Sequence, residues 1–227
     1  ASAMISKEYA AKRAKLINKA KANCAVAAGD PAFRTAGDTT YLSVVDRAGN
    51  MVSLIQSNAA LFGSGVVAEG TGFALQDRGA GFSLDASSPN LISGHKRPFH
   101  TIIPAFMAKG EIRIAFGIMG GANQPQAHAQ FVSNIADFGL NIQAALESAR
   151  FSKYSVNGCD VEMEDRVPEA ARKALAERGH EIQLRGNYSP DMGGGQAVLR
   201  DFSKGVNYGA SDPRKDGEAI PEPPSAH

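Results

Sequence analysis

The chain contains no tryptophan, and only two cysteines and five histidines in 227 residues. Cys24 and Cys159 stand alone and far apart, without the spacing of a zinc or dithiol motif. Two separate thiols are therefore expected, with a disulfide as an alternative that no spacing supports. The histidines form no HxxxH or HExxH pair, so no built-in metal site is expected. No apolar run approaches the ~18 residues needed to span a bilayer. The opening Ala1-Ser2-Ala3-Met4-Ile5-Ser6-Lys7-Glu8 lacks the apolar centre of a signal peptide. The expectation is a cytoplasmic protein, or a periplasmic or secreted one if a signal lies upstream. An excess of one charge is also missing. With 24 basic and 23 acidic residues the net charge is +1, which gives no electrostatic case for nucleic acid or an anionic membrane.

What is present is ordinary for a globular protein: 43% hydrophobic and 21% charged residues. Glycine is plentiful, at 24, and points to many tight turns. Residues 6–22 have the composition of an amphipathic helix. Residues 23–38 are aperiodic and read as a loop or linker. Alternation over 39–46, a turn at Asp46-Arg47-Ala48-Gly49-Asn50 and a return over 51–55 form a hairpin. A glycine-rich stretch follows, and 78–98 is mostly loop. A second hairpin spans 101–108 and 111–116 across Lys109-Gly110. Helices are expected at 124–138, closed by Gly139, at 141–149, and at 168–178 with Pro168 in its first turn. Strands are expected at 181–184 and 196–199, with a short one at 205–208. The Pro-rich tail 218–227 carries no periodic pattern. Strands, then helices, then strands indicate an α+β layered domain built on antiparallel hairpins.

One residue carries unusual chemical potential. Thr39 opens the first strand in Gly37-Asp38-Thr39-Thr40-Tyr41-Leu42-Ser43-Val44-Val45-Asp46. With the backbone intact it is a plain strand threonine, a common choice at that position. If the Asp38–Thr39 bond is cut, it becomes an N-terminal residue that holds a hydroxyl nucleophile beside an α-amine able to serve as its base.

Further motifs decide between these readings. Asp46-Arg47-Ala48-Gly49-Asn50-Met51-Val52-Ser53, Lys96-Arg97-Pro98, Gly120-Gly121, Asp137-Phe138-Gly139-Leu140-Asn141, Ala149-Arg150-Phe151 and Gly209-Ala210-Ser211-Asp212-Pro213-Arg214 follow in order. With the Thr39 segment, this ordered set resembles the small subunit of the γ-glutamyltranspeptidase family of N-terminal nucleophile hydrolases.

The resemblance implies a four-layer αββα fold shared by two subunits and a precursor that cuts itself between Asp38 and Thr39. Residues 1–38 would end the large subunit and 39–227 would form the small one. The partner would be the large subunit of the same precursor, as a heterodimer or a dimer of heterodimers. No metal or organic cofactor is implied. Thr39 would be the nucleophile, and Gly120 and Gly121 would supply oxyanion-hole N–H groups; a tight strand-to-helix turn is the compatible structural reading. Ser57 aligns with a family threonine whose hydroxyl contacts the nucleophile.

The departures bear on substrate. The family's Asn, Gln and Asp for a glutamyl α-amino group are replaced by Ala59, Arg78 and Gly81, and its paired serines by His100 and Thr101. A cation replaces the counter-charge for an ammonium, so Arg78, with His100 and Thr101, is expected to receive an anionic or polar acyl group. The plain alternatives are a loop or ion-paired arginine at Arg78 and hydrogen-bonded structural histidines at His100 and His128. The expected activity is hydrolysis of a small-molecule amide: γ-glutamyl-like, an acyl side chain, or a small anionic amide such as oxamate. The alternatives are a true γ-glutamyltransferase or glutathione hydrolase, and a silent family member acting as a scaffold. A nucleotide-binding enzyme built on Gly120-Gly121 lacks a phosphate-binding fingerprint.

Overall fold

The computed structural model describes residues 6–25, 38–155 and 157–222. Most of the expected linker and the end of the Pro-rich tail lie outside these.

β1 (Asp38–Val45) and β2 (Met51–Ala59) form an antiparallel ribbon. The Asp46 carboxylate closes its turn by accepting from the backbone N–H and side-chain amide of Asn50. Its alternation sorts the faces. Tyr41 and Ile55, paired across the strands, are buried, whereas Leu42 opposite Leu54 and Val44 opposite Val52 remain exposed. The pairing shifts register once: Asp38 faces Ala59 but Thr39 faces Ser57, so Asn58 is the extra residue of a bulge.

A four-stranded sheet lies against this ribbon, in the order β3 (Ala105–Lys109), β4 (Ile112–Met119), β8 (Gly194–Asp201), β9 (Val206–Ser211). β1 packs on β4 and β8. Residues 114–118 of β4 are buried on both faces, which explains the unbroken run Ile114-Ala115-Phe116-Gly117-Ile118. A Cβ on Gly117 would run into the Tyr41 ring, so the two sheets approach closely only with glycine there. On the opposite face, Phe116 and Ile118 form the main core with Phe131 of α2 (Gln124–Ala136) and with Ile142 and Leu146 of α3 (Ile142–Glu147). Phe116 and Phe131 stack at 4.7 Å between centroids. Helices, four-stranded sheet and ribbon thus make three successive layers of a mixed helix-and-sheet fold.

A smaller three-stranded sheet, β5 (Phe151–Ser152), β6 (Asp160–Met163) and β7 (Glu181–Leu184), completes the chain. β6 and β7 are parallel and joined through α4 (Glu169–Glu177). β5 and β6 were not legible as strands. β5 has two residues, and β6 alternates acidic with apolar residues because Glu162 is buried in it. The first helix, α1 (Lys7–Ala14), is shorter than the 6–22 pattern; Lys15 is already its C-cap, and no residue of α1 is buried to extend it by packing.

The expectation of two separate thiols is corrected. Cys24 and Cys159 form a disulfide, across a separation of 135 residues that no sequence motif reports.

Candidate active site

Thr39 is the second residue of β1, buried on the face turned to the second sheet. Its cross-strand neighbour is Ser57, and directly opposed side chains on one face meet. Thr39 Oγ1 donates to Ser57 Oγ at 2.9 Å. The same Ser57 oxygen accepts from Arg78 Nη2 at 2.8 Å and from the Ala59 N–H at 3.0 Å. Arg78 Nη1 donates to Thr101 Oγ1 at 3.1 Å. Four residues singled out in the sequence therefore form one chain of contacts: Thr39, Ser57, Arg78, Thr101.

A hydroxyl oxygen has two lone pairs, so three donors oversubscribe Ser57. The guanidinium and the amide have fixed N–H directions, whereas the threonine hydroxyl rotates. The Thr39 hydroxyl is the one of the three donors able to turn to another acceptor.

Ala59, Arg78, Gly81 and Thr101 line one small pocket of about 60 Å³. Four of the five departures from the family pattern are thus brought together beside Ser57. Three lining residues were not anticipated, Asp77, Ala80 and Phe99. One Asp77 oxygen accepts from the Ala60 N–H at 3.1 Å; its signal in the sequence was only adjacency to Arg78. Burial lowers the Arg78 pKa, against the opposing charge of Asp77. His100 is exposed; its pKa is lowered by partial burial and then by the charges of Arg78 and Arg97. It belongs to the electrostatic surroundings of Arg78 and does not line the pocket. A wider cleft of about 520 Å³ opens beyond Ser57, past Thr40, Asn58 and Phe73.

Gly120 and Gly121 join the end of β4 to a short 3-10 turn that leads into α2. Gly120 has φ 140°, in the region that favours glycine, and a Cβ there would meet Gly193 Cα at 3.1 Å. The first N–H groups of a helical turn have no acceptor within it, which leaves this corner suited to an anionic oxygen. Its link to the Thr39 cluster is indirect. Gln124, fully buried at the start of α2, accepts from the Ile103 N–H at 3.1 Å, two residues after Thr101.

A buried ionic network supports the same corner. Arg150 donates to the carbonyl oxygens of Met192 and Gly193, both at 3.1 Å, and Asn123 Nδ2 donates to Met192 O at 2.9 Å. Arg150 also pairs with Asp212, and Arg214 with both Asp212 and Glu164. Burial lowers Arg150 to about 10, yet Asp212 keeps it charged at neutral pH. Burial would raise the Glu164 carboxyl, but the Arg214 hydrogen bonds and charge outweigh it and hold it below the ordinary range. Arg150 and Asp212-Pro213-Arg214 were visible as motifs without a role. Glu164 had no signal, lying between other acids and Arg166. His128 Nε2 accepts from the Ile118 N–H at 2.9 Å, so it is a structural histidine behind β4.

Among the described residues, no cluster of metal-ligating side chains exists and no helix is long and apolar enough to cross a membrane. The sequence profile of the gamma-glutamyltranspeptidase family matches residues 1–222. The chain belongs to this family. It is 38% identical over 187 residues to the glutathione hydrolase-like YwrD proenzyme of Bacillus subtilis, covering 81% of this chain and 35% of that protein. It is 36% identical over 187 residues to the oxamate amidohydrolase proenzyme of Klebsiella pneumoniae, with the same coverage. Among solved structures, cephalosporin acylase from Bacillus halodurans matches with TM-score 0.81 and 44% identity, over 95% of this chain and 38% of that one. A gamma-glutamyltranspeptidase chain from Pseudomonas nitroreducens matches with TM-score 0.67 and 27% identity, over 81% of this chain and all of that one. The fold is therefore that of the family's N-terminal nucleophile hydrolases. The chain spans about a third of the length of the curated relatives.

Proposed function

We propose that this chain carries the catalytic small subunit, residues 39–227, and the end of the large subunit, residues 1–38, of an autoprocessed N-terminal threonine amidohydrolase. The observation that carries the proposal is the oversubscribed Ser57 oxygen, with Thr39 on one side and Arg78 at a pocket on the other. In processing, Thr39 Oγ attacks the Asp38 carbonyl, the Asp38–Thr39 C–N bond breaks, and the acyl group shifts to oxygen as its proton passes to nitrogen. Water then hydrolyses the ester, leaving the Asp38 carboxyl and the Thr39 amine. In turnover, the amine, with a reference pKa of about 7.7–8.0, accepts the Oγ proton as Oγ attacks a substrate amide. The Gly120–Gly121 corner receives the carbonyl oxygen as it becomes anionic. The amine returns the proton to the leaving nitrogen, and water releases the acyl group.

The pocket supports one substrate class. It is small, about 60 Å³, and it presents a guanidinium that pairs with planar anions. That favours a small acyl group with a carboxylate, the chemistry named for the Klebsiella relative, over a bulky side chain. Asp77 in the same pocket favours a second reading, an amino-acid-like acyl group bearing both charges, as in γ-glutamyl compounds. The exposed apolar face of Leu42, Val44, Val52 and Leu54 supports a covering layer from the rest of the large subunit. An oxidising compartment, not the cytoplasm, suits the Cys24–Cys159 bond.

The test is intact-mass analysis of the full-length protein at neutral pH beside Thr39→Ala, followed by hydrolysis assays on oxamate and on a γ-glutamyl anilide. A cut before Thr39 in the wild type alone, with oxamate turned over faster, is the expected outcome. An uncut wild type removes the self-activating enzyme.

A further inference from the structure

The disulfide joins two stretches of chain that the proposed processing would separate. Cys24 lies upstream of the Asp38–Thr39 bond, and Cys159 lies downstream, immediately before β6. The upstream stretch is also docked by its backbone. The Gly158 N–H donates to Cys24 O at 2.9 Å, and the Ala22 N–H donates to Arg178 O at 2.6 Å, just past α4. Residues 22–24 are therefore seated on the β6–α4–β7 unit, which belongs wholly to the downstream part.

We infer that this bond is a covalent tether between the two subunits of the processed protein. The inference rests on the processing proposed above. Hydrolysis breaks only the Asp38–Thr39 C–N bond, adding one water across it, and leaves the S–S bond untouched. Before the cut the disulfide is an intrachain bond; afterwards it is, among the described residues, the one covalent link between a chain ending at Asp38 and a chain beginning at Thr39. Contacts between the subunits then operate at an effective concentration set by the tether and not by dilution. Cys24 is exposed and Cys159 is buried, so an external thiolate reaches the bond from the Cys24 side. A reducing thiol converts the tethered pair into two chains held by non-covalent contacts alone; an oxidising compartment keeps them joined.

The test uses the full-length protein after incubation at neutral pH, quenched with N-ethylmaleimide and analysed under denaturing conditions with and without dithiothreitol. The expected result without reductant is one species at the precursor mass plus one water. With reductant it resolves into two chains, the second beginning at Thr39. Cys159→Ser is expected to give two chains under both conditions. Two separate chains from the wild type without reductant, with the cysteines alkylated, overturn the tether and leave the processing intact. A wild type uncut under both conditions overturns the processing, and the tether with it.

Discussion

Arg78 donates to Ser57 Oγ at 2.8 Å, onto the same oxygen that receives the Thr39 hydroxyl. Arg78 therefore has two effects. It competes with Thr39 for the Ser57 lone pairs, and it presents its charge to the pocket.

Replacement of Arg78 separates these. A charge-assisted hydrogen bond to a substrate carboxylate contributes about 1.5–3 kcal/mol, so Arg78→Gln should raise KM for oxamate roughly ten- to hundredfold. Arg78→Lys should recover only part of it, because an ammonium cannot bridge Ser57 and Thr101 as the planar fork does. Steady-state kinetics on both variants decide; an unchanged KM in Arg78→Gln would remove Arg78 from acyl recognition.

Gly120 is held at φ 140° against Gly193. Gly120→Ala should move this corner, and loss of one oxyanion donor costs about 10²–10³ in kcat. The expected signature is a fall in kcat of about that size with KM little changed. A proportionate rise in KM would instead indicate a general loss of binding.

His128 gives the protein a pH-dependent weakness. Burial, first of all, lowers its pKa to about 4, and the charge of Arg150 adds to this; the N–H that Ile118 donates to Nε2 likewise favours the neutral ring. The unfolded chain binds the proton near pH 6.5, so the folded state keeps the full benefit of a neutral His128 above that. Stability is then lost as pH falls from about 6.5 towards 4, by about 3 kcal/mol in total. Urea midpoints at pH 7 and pH 4.5 should show that loss, and His128→Gln should reduce the slope between them.

The network of Arg150, Asp212, Arg214 and Glu164 is buried and paired throughout. Removing one arginine leaves two buried carboxylates against one, an uncompensated charge, and breaking such a buried pair typically costs about 3–5 kcal/mol. Arg150→Met should lower unfolding stability by about that amount and take the Arg150 donor from the Met192 and Gly193 carbonyls behind Gly120, Met192 O keeping that of Asn123. Adding Asp212→Leu should recover part of the loss, because the excess carboxylate is then removed while Arg214 keeps its pair with Glu164. Chemical denaturation of the single and double variants tests this.

The hairpins, the principal helices and the strand-initial Thr39 were legible because each depends on local signals: alternation, turn residues, a proline near a helix start. Ser57, Arg78 and Thr101 were legible only through ordered motifs, since their proximity depends on cross-strand pairing and a long loop. Asp77 and Glu164 were not legible, as an acid in a sequence looks the same whether solvated or buried against arginine. The Cys24–Cys159 pairing was illegible for a related reason: two lone cysteines carry no spacing, and only the folded β6–α4–β7 unit brings them together.

The single change of register in the β1–β2 ribbon falls between Asp38 and Thr39. From Thr39 opposite Ser57 to Val45 opposite Met51, the rungs advance one for one. Severing the chain at that point leaves the dislocation behind with the departing residue. Under the processing proposed above, the shortened strand begins on its first regular rung, the fault in the ladder belongs to the precursor, and the processed sheet has none at that end.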